Sequence, residues 1–550
     1  MTSKQLSSCQ TYKLEKKNFN LDDQQATILS KEISSRSTNL IELFIFLSSN
    51  QIGNQGASNF AKQISQCLNL SQVKLDFSFN LIKESGFIDL CNSLGNCLKI
   101  SSLELALRFN NIGDKGVQFL TKTILQCENV NQLDLNLNQN KINSKGASKL
   151  GAILAKFQKL QCLEINIEQN DISDQGALFL AQGIAQCTNL TRLKVNFDIQ
   201  KMISQTNKDF FTSLKTLSKL NILQFGFDIN SQISKELTTG ISEIKNLSHL
   251  ELNLVSIQDK ESEKIAENIG KLVNLSFLKV YFRKVNVENV ANIFSRLKQC
   301  VNLSDLQIYL EENHGPLFEL NNFLCNMINL KKLTIAIMNQ YGPIRIDISH
   351  LSKGISCCEI LESLEIYMNY LSSKDISVLG EGIGKCKKLT NLTLCLEGDS
   401  IDDCIVQELG QNIGLCTSLK EIDINFQHNQ ICDGGAFDFL QGLSKAVLLE
   451  SIKLNLGKNI VCTDNASLIG QGLSLFQNLK TLDIDINDTD IDNDQAFKLG
   501  HSLIQCQNVT TLRYDISACQ NLEEEGVERF ENQIKKMKRL VQQTYYSYWD

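Results

Sequence analysis

Histidine is the side chain that most often performs acid–base catalysis or holds a metal, and this chain has few histidines. Its 550 residues include five of them. Each falls in a different segment, and no two have the short spacing with which zinc ligands usually leave one element. They are His249, His314, His350, His428 and His501. The sequence therefore predicts no metal site and no histidine-based catalytic centre.

One glycine-rich segment superficially resembles a phosphate-binding loop. Gly380, Gly382 and Gly384 alternate with other residues and are followed by Lys385. A phosphate loop needs the spacing Gly-x-x-x-x-Gly-Lys-Ser/Thr directly after a strand, and this segment does not have it. The kinase motifs Val-Ala-Ile-Lys, His-Arg-Asp and Asp-Phe-Gly are absent from the sequence as well. We therefore interpret the glycines as helix-packing residues and predict a protein that is not an enzyme and needs no cofactor.

Cysteine is frequent, with nineteen residues in the chain. Cys67, Cys97, Cys127 and Cys187 are separated by multiples of thirty residues, which predicts a stack of small buried side chains. The first residues lack the apolar segment of a secretory signal, and no Cys-x-x-Cys pair occurs. We therefore expect reduced thiols and an intracellular, cytoplasmic location.

A step of thirty residues organises most of the sequence. Asn50, Asn80 and Asn110 follow this step, and so do Gly56 and Gly86. Self-similarity at a fixed period of this length is typical of a solenoid, in which each unit packs only on its neighbours. The period therefore predicts a repeat protein rather than several globular domains.

Within one period the apolar spacing changes from that of a strand to that of a helix. Leu43, Ile45 and Leu47 alternate with other residues, which predicts a strand with one buried face. Phe60 and Ile64 are four residues apart, as on one face of a helix. Each unit is therefore predicted to be a strand, a turn, a helix and a turn.

These residues resemble the leucine-rich repeat, in its ribonuclease-inhibitor-like subtype with a full helix in each unit. The run Leu40-x-x-Leu43-x-Ile45-x-Leu47-x-x-Asn50 has one more Leu-x step than the usual motif, and thirty-residue arrays of this kind are abundant in ciliates. The resemblance implies an α/β solenoid shaped like a horseshoe. It would have a parallel sheet on the concave face and helices on the convex face. It also implies that the amide of the repeated asparagine bonds the backbone of neighbouring turns.

The predicted array has seventeen units, counted from the first apolar residue of each strand segment between Leu40 and Val509. We expect residues 1–39 to form an amino-terminal cap with a half repeat and residues 40–522 to form the array. Residues 523–550 are expected to form a capping helix and an aromatic tail. The step becomes irregular at about 220–389, where Pro316 and Pro343 occupy two of the turns. This stretch is either a tolerated packing irregularity or a region reshaped for a partner.

The strand residues that alternate with the buried leucines are expected on the concave face. Eighteen acidic and nine basic side chains fall there, while the whole chain has a net charge of −7. The net charge of −7 argues against nucleic acid or an anionic membrane as partner. The acidity either keeps the protein dissolved or steers it toward a protein with a basic surface.

Tyrosines interrupt a column of asparagines on that face. Tyr281, Tyr309 and Tyr367 fall in the irregular stretch, and strands about 5 Å apart would bring them together. Tyrosine and arginine are typical of interface hot spots, although the aromatic residues could also simply cover a distorted region. The candidate protein-binding residues are Tyr281, Tyr309, Tyr367, Phe277, Lys279, Arg283 and Met338.

The sequence thus predicts a monomeric, non-enzymatic scaffold that binds an unknown protein through its concave face. Two alternatives remain open. One is a small-GTPase regulator that resembles the GTPase-activating protein of Ran, although the acidic tail of that protein is missing here. The other is a structural component of a cytoskeletal or ciliary assembly.

Overall fold

Strands and helices alternate throughout the part of the chain that the computed structural model describes. This part comprises residues 10–197, 204–311, 318–338, 348–369, 371–398 and 401–545. The chain divides into two compact units, residues 1–253 and residues 254–550. The division falls within strand β9 (His249–Val255).

In the first unit, each strand after the first pairs in parallel with the strand that precedes it in the chain. The strands are β1 (Thr11–Glu15), β2 (Glu42–Phe46), β3 (Gln72–Asp76), β4 (Ser102–Ala106), β5 (Gln132–Asn136), β6 (Cys162–Asn166), β7 (Arg192–Asn196) and β8 (Ile222–Ile229). The helices between them are α1 (Asp23–Ser34), α2 (Asn54–Ile64), α3 (Glu84–Gly95), α4 (Gly113–Gln126), α5 (Ser144–Leu154), α6 (Asp174–Ala185), α7 (Ser204–Ser213) and α8 (Ser231–Ile241).

The second unit repeats this parallel, chain-order arrangement. Its strands are β10 (Phe277–Arg283), β11 (Asp305–Glu311), β12 (Lys332–Met338), β13 (Ser363–Met368), β14 (Asn391–Cys395), β15 (Glu421–Asn425), β16 (Ser451–Asn455), β17 (Thr481–Asp485), β18 (Thr511–Asp515) and β19 (Gln542–Tyr545). Its helices are α9 (Asp259–Ile269), α10 (Val287–Leu297), α11 (Phe318–Leu324), α12 (Ile348–Ser356), α13 (Ser373–Ile383), α14 (Asp403–Ile413), α15 (Asp433–Leu443), α16 (Ser467–Ser474), α17 (Asn493–Leu503) and α18 (Glu524–Ile534).

The two faces of the strands differ in burial as the sequence predicts. Leu43 and Ile45 in β2 are fully buried, whereas Glu42, Phe44 and Phe46 remain partly exposed. The same alternation continues along the strands of the second unit. The leucine face packs against the helices, so the opposite face of the sheet is left open to solvent.

The repeated asparagines link the turns of successive repeats, which confirms their predicted role. The amide nitrogen of Asn80 donates to the carbonyls of Leu47 and Phe77, at 2.9 and 3.1 Å. Its Oδ1 accepts from the backbone amide of Ile52 at 3.0 Å. Because these backbone groups are buried, the asparagine satisfies polar groups that would otherwise destabilise the turn.

A second ladder of polar side chains joins the helix starts. Asn54 Oδ1 accepts from the backbone amides of Lys83 and Gly86 in the next repeat, at 2.8 and 3.2 Å. A Cβ on Gly86 would lie 2.7 Å from the Cα of Asn54, so only glycine permits this close approach. The recurring glycines are therefore explained by the contact between one helix start and the next.

The irregular stretch predicted at about 220–389 has longer strands in the structure. Strands β8 to β13 contain six to eight residues, whereas the other described strands contain four or five. In a regular repeat, Ser49 in the left-handed region is followed by Asn50, which turns the chain. After β9, Ser256 is also left-handed, but Ile257 follows it, so the asparagine turn is missing. The turns with Pro316 and Pro343 lie outside the described residues.

The cysteines confirm one prediction and correct another. Cys67, Cys97, Cys127 and Cys187 are fully buried, and burial raises the pKa of the Cys67 thiol to about 11. The expectation of reduced thiols throughout is wrong, because Cys325 and Cys357 form a disulfide. These two residues follow α11 and α12, and stacking of the two repeats brings their Cα atoms 4.9 Å apart.

The terminal segments contain strands that the sequence pattern did not predict. Within residues 1–39, β1 pairs with β2 and is followed by α1. At the other end, α18 is followed by β19, which pairs with β18. The capping roles of residues 1–39 and 523–550 stay predictions, and residues 546–550 of the aromatic tail lie outside the described part.

Candidate protein-binding site

Register places the predicted tyrosines in one row across four strands of the second unit. Tyr281 of β10 is opposite Tyr309 of β11, which is opposite Ala336 of β12. Ala336 is in turn opposite Tyr367 of β13. All of them point to the open face, because their strand neighbours Phe282, Leu310, Ile337 and Met368 are in the core.

The first two tyrosines form a stacked pair with a lysine above them. The ring centroids of Tyr281 and Tyr309 are 4.3 Å apart and their planes differ by 19°. The ammonium nitrogen of Lys279 lies 5.2 Å from one centroid and 5.1 Å from the other. This distance permits a cation–π interaction with both rings. The three side chains therefore hold each other in place on the sheet.

The third tyrosine belongs to a polar cluster beside this pair. The hydroxyl of Tyr367 donates to Glu365 Oε2 at 3.4 Å, and Thr334 donates to the same oxygen at 3.3 Å. Ala336 is almost fully buried between Tyr309 and Tyr367, so its small side chain leaves the sheet surface to the tyrosines. Among the described residues, Glu365 has hydroxyl partners and no ion pair.

Burial keeps the tyrosine hydroxyls protonated. It raises the pKa of Tyr367 to about 12, with the neighbouring Glu365 carboxylate as the next cause. Burial also raises the pKa of Tyr309, although Lys279 opposes the shift. Both side chains are therefore neutral hydrogen-bond donors at neutral pH.

Arg283 borders the tyrosines through an ion pair. Its Nε lies 2.6 Å from Oε2 of Glu311 on the adjacent strand, and both side chains are partly exposed. We call Tyr281, Tyr309, Tyr367, Lys279 and Arg283 the tyrosine patch. The structure brings these five predicted residues onto one surface.

The other two candidates stand at the ends of the strands. Phe277 is the first residue of β10, opposite Asp305, and is partly exposed on the same face. Met338 is the last residue of β12, with its backbone opposite Glu311. The side chain of Met338 lies outside the described part of the structure.

Charges on the open face are organised by pairing between neighbouring strands. In the first unit Lys74 pairs with Glu104 at 2.6 Å, and Arg192 pairs with Glu164 at 3.1 Å. Asp134 lies directly between Glu104 and Glu164 in register. Burial and these two acids raise the pKa of Asp134 to about 6. The acidity of this face is therefore partly neutralised by ion pairs, and Asp134 becomes protonated only below about pH 6.

The sequence pattern missed the roles of Ala336 and Glu365. Both alternate with buried strand residues, so the sequence pattern places them on the open face. That pattern does not show which side chains of neighbouring strands touch. The available signal was the small residue between two tyrosine-bearing strands, because a short side chain leaves space for larger neighbours. Register combined with residue size could therefore have predicted that Tyr309 and Tyr367 share one surface.

The described residues contain no group of three or more His, Cys, Asp and Glu side chains that could hold a metal ion. Their helices also include none that is long and apolar enough to cross a membrane.

Comparison with known proteins bears on the repeat. Residues 101–120 and 128–151 match the family model described as Leucine Rich repeat. These matches cover β4 with the start of α4, and β5 with most of α5. No curated protein matches the chain. Together with the strand–helix alternation, the matched residues identify the repeat.

Proposed function

The chain is a leucine-rich repeat protein, and we propose that it binds a protein partner through the open face of its sheet, centred on the tyrosine patch. The repeats and the solenoid fold support an interaction scaffold without catalytic activity. The observation that carries the proposal is the stack of Tyr281 on Tyr309 beneath Lys279.

The arrangement of the patch favours binding because its side chains are already ordered. Tyrosine offers a large apolar ring with a hydrogen-bonding end, and ordered tyrosines lose little conformational entropy when a partner binds. Stacking fixes Tyr281 and Tyr309, and the Glu311 carboxylate holds Arg283. The patch therefore has the features of a hot spot without the cost of ordering it.

The chemistry of the patch indicates the group that a partner would offer. Glu365 makes no ion pair among the described residues, so a lysine or arginine of a partner could pair with it. An apolar side chain beside that basic group would contact the rings of Tyr309 and Tyr367. We further propose that the chain acts inside the cell, because most of its described cysteines are free thiols. Binding as a monomer is also part of the proposal.

Partner capture by a triple variant tests this proposal. The full chain and Tyr281→Ala/Arg283→Ala/Tyr309→Ala are immobilised, and proteins captured from cells of the source organism are quantified by mass spectrometry. We expect the partner to be lost from the triple variant, because two rings and one cation of the hot spot are removed. Thermal unfolding of both proteins shows whether the variant is folded.

A matched control removes similar groups from the open face of the first unit. Phe44→Ala/Phe46→Ala/Arg192→Ala deletes two rings and an arginine that pairs with Glu164. This control should capture the partner as the unaltered chain does. Capture that persists in the folded tyrosine variant, or that is lost only in the control, would refute the proposed site.

A further inference from the structure

The loops after β3 and β4 carry an exposed pair of aromatic rings. Phe79 and Phe109 stack with their centroids 4.7 Å apart and their planes 18° apart. Phe79 is 42% exposed and Phe109 is 41% exposed. The guanidinium carbon of Arg108 lies 5.2 and 5.3 Å from the two centroids. The three side chains form a flat surface with a positive charge at its edge.

Both phenylalanines have backbone conformations that disfavour bulky residues. Their φ angles are 54° and 56°, in the left-handed region. Ser49 and Gln139 occupy the same loop position in neighbouring repeats, also with positive φ. Since polar residues fill this position in the neighbouring repeats and the two rings are outside the core, the fold does not account for them.

A groove of about 800 Å³ lies beside the rings. It is lined by Phe109 and by Leu81, which is 61% exposed, together with Lys83, Lys141 and Asp171. These residues come from the loops of successive repeats in the first unit, so the groove crosses the repeats. Because its lining comes from several successive repeats, the groove follows the direction in which the repeats stack, and an extended chain could contact all of them.

Three polar side chains in the groove have groups that lack a partner among the described residues. Lys83 and Lys141 form no ion pair among the described residues. Gln139, which also lines the groove, has a buried Oε1 that accepts no hydrogen bond among the described residues. Lys83 and Lys141 are exposed, so their ammonium groups are available to the acidic groups of a ligand.

The charge of the groove is opposite to that of the whole chain. Lys83 and Lys141 are the basic residues of the lining and Asp171 is its acidic residue, while Arg108 lies over the ring of Phe109. The chain as a whole has a net charge of −7. The groove is therefore a local basic site on an acidic protein, and it complements an acidic ligand.

We propose that this groove, which we call the aromatic groove, binds an extended acidic peptide segment that contains a bulky apolar side chain. The apolar side chain rests on Phe79, Phe109 and Leu81. The acidic groups approach Lys83 and Lys141, and the side-chain amides of the groove bond the peptide backbone. This site belongs to residues 1–253 and is separate from the tyrosine patch.

A single-stranded nucleic acid is the competing ligand, because bases also stack on aromatic rings beside cations. The net charge of −7 opposes a polyanion, and the two unpaired lysines offer few phosphate contacts. An acidic peptide carries less charge and uses the amide groups. The peptide is therefore favoured, and the nucleic acid becomes an arm of the test.

Fluorescence anisotropy on the full chain tests the proposal. The probe is a short fluorescein-labelled peptide rich in glutamate with two central phenylalanines. A second peptide has lysine in place of each glutamate, and the third probe is an oligothymidylate. We expect the glutamate peptide to bind in the aromatic groove, with an affinity that falls as salt rises. The lysine peptide matches the tyrosine patch instead, so its binding should not change in variants of the aromatic groove.

Two variants remove the two parts of the aromatic groove. Lys83→Glu/Lys141→Glu reverses its charge, and Phe79→Ser/Phe109→Gln introduces residues that neighbouring repeats carry at this position. We expect each to weaken peptide binding about tenfold or more. The control Lys385→Glu/Lys388→Glu makes the same charge change at exposed lysines of the second unit and should leave the affinity unchanged.

Three results would overturn the proposal. The first is no measurable binding of the glutamate peptide by the unaltered chain. The second is equal binding by the chain and by both folded groove variants. The third is binding of the oligothymidylate in place of the peptide, with loss in the groove variants. The Tyr281→Ala/Arg283→Ala/Tyr309→Ala variant should bind the peptide normally, so failure of one site is distinguishable from failure of the other.

Discussion

At the scale of single residues, two aspartates show how position in the repeat determines what a buried carboxylate does. Asp433 opens α15, is 4% exposed, and accepts hydrogen bonds from backbone amides of the next repeat. Asp134 lies on the open face between two other acids. The Asp433 carboxylate stabilises the stacking of repeats, whereas the Asp134 carboxylate lowers the stability of the folded chain.

Replacing Asp433 should destabilise the second unit. The backbone amides of Cys462 and Asn465 donate to it at 2.6 and 2.8 Å, and they would lose their partner in Asp433→Ala. We expect a loss of roughly 2–4 kcal/mol in the free energy of unfolding, measured with urea. The exposed Asp464→Ala makes the same charge change and should alter stability little. Equal effects of the two substitutions would show that the hydrogen bonds are unimportant.

Replacing Asp134 should stabilise the protein in a pH-dependent way. Its pKa is raised to about 6 in the folded chain, so the folded state holds the proton more tightly than the unfolded state. The resulting cost is present above pH 6, and it disappears as the pH falls toward the ordinary value of 3.8. Asp134→Asn should therefore gain roughly 1–2 kcal/mol at pH 8 and little at pH 4. Urea unfolding at both pH values checks this, and a gain that is the same at both would contradict it.

At the scale of elements, stacking of one repeat on the next explains both the regular hydrogen bonds and the disulfide between Cys325 and Cys357. Cys325 and Cys357 are 32 residues apart, which is about one repeat, and they join the ends of two neighbouring helices. Those helices, α11 and α12, have seven and nine residues, fewer than most others. The covalent bond therefore joins two of the shorter helices of the array.

Removing the disulfide should weaken this part of the second unit. A cross-link that closes a loop of this length contributes about 4 kcal/mol by restricting the unfolded chain. Cys325→Ser/Cys357→Ser should lower the urea midpoint of the oxidised protein, and a reductant should lower that of the unaltered chain but not of the variant. Cys404→Ser, which replaces an exposed thiol, should have no effect. A midpoint of the unaltered chain that does not respond to the reductant would contradict this prediction.

The elements that could be predicted are those with long periodic patterns. Strand β2 and its repeats were predicted because Leu43, Ile45 and Leu47 alternate over a full strand. Strand β1 was missed because only Tyr12 and Leu14 alternate there. The disulfide was missed because Cys325 and Cys357 do not share the spacing of the buried cysteines. Their separation in the sequence did not indicate that two exposed cysteines of neighbouring repeats are close to each other.

The two surfaces were predictable to different degrees for the same reason. Tyr281 and Tyr309 occupy equivalent strand positions, so the repeat step alone places them side by side. Phe79 and Phe109 occupy a left-handed loop position, to which a strand alternation does not apply. Their signal was an aromatic residue directly before the repeated asparagine, where Ser49 and Gln139 stand in other repeats.

At the scale of the whole molecule, each compact unit carries a surface with its own chemistry. Residues 254–550 contain the tyrosine patch, with neutral hydroxyl donors and the acidic Glu365. Residues 1–253 contain the aromatic groove, with unpaired lysines. We therefore expect a scaffold that contacts two protein segments of opposite charge, one on each unit.

Site-specific photo-crosslinking in cells of the source organism tests the central proposal most directly. A benzophenone amino acid replaces Tyr309 in one version of the chain and Phe46, on the open face of the first unit, in another. We predict that the Tyr309 position crosslinks a defined protein and that this product disappears when Tyr281 and Arg283 are also replaced by alanine. A product of equal yield from the Phe46 position, or one that survives loss of Tyr281 and Arg283, would contradict binding at the tyrosine patch.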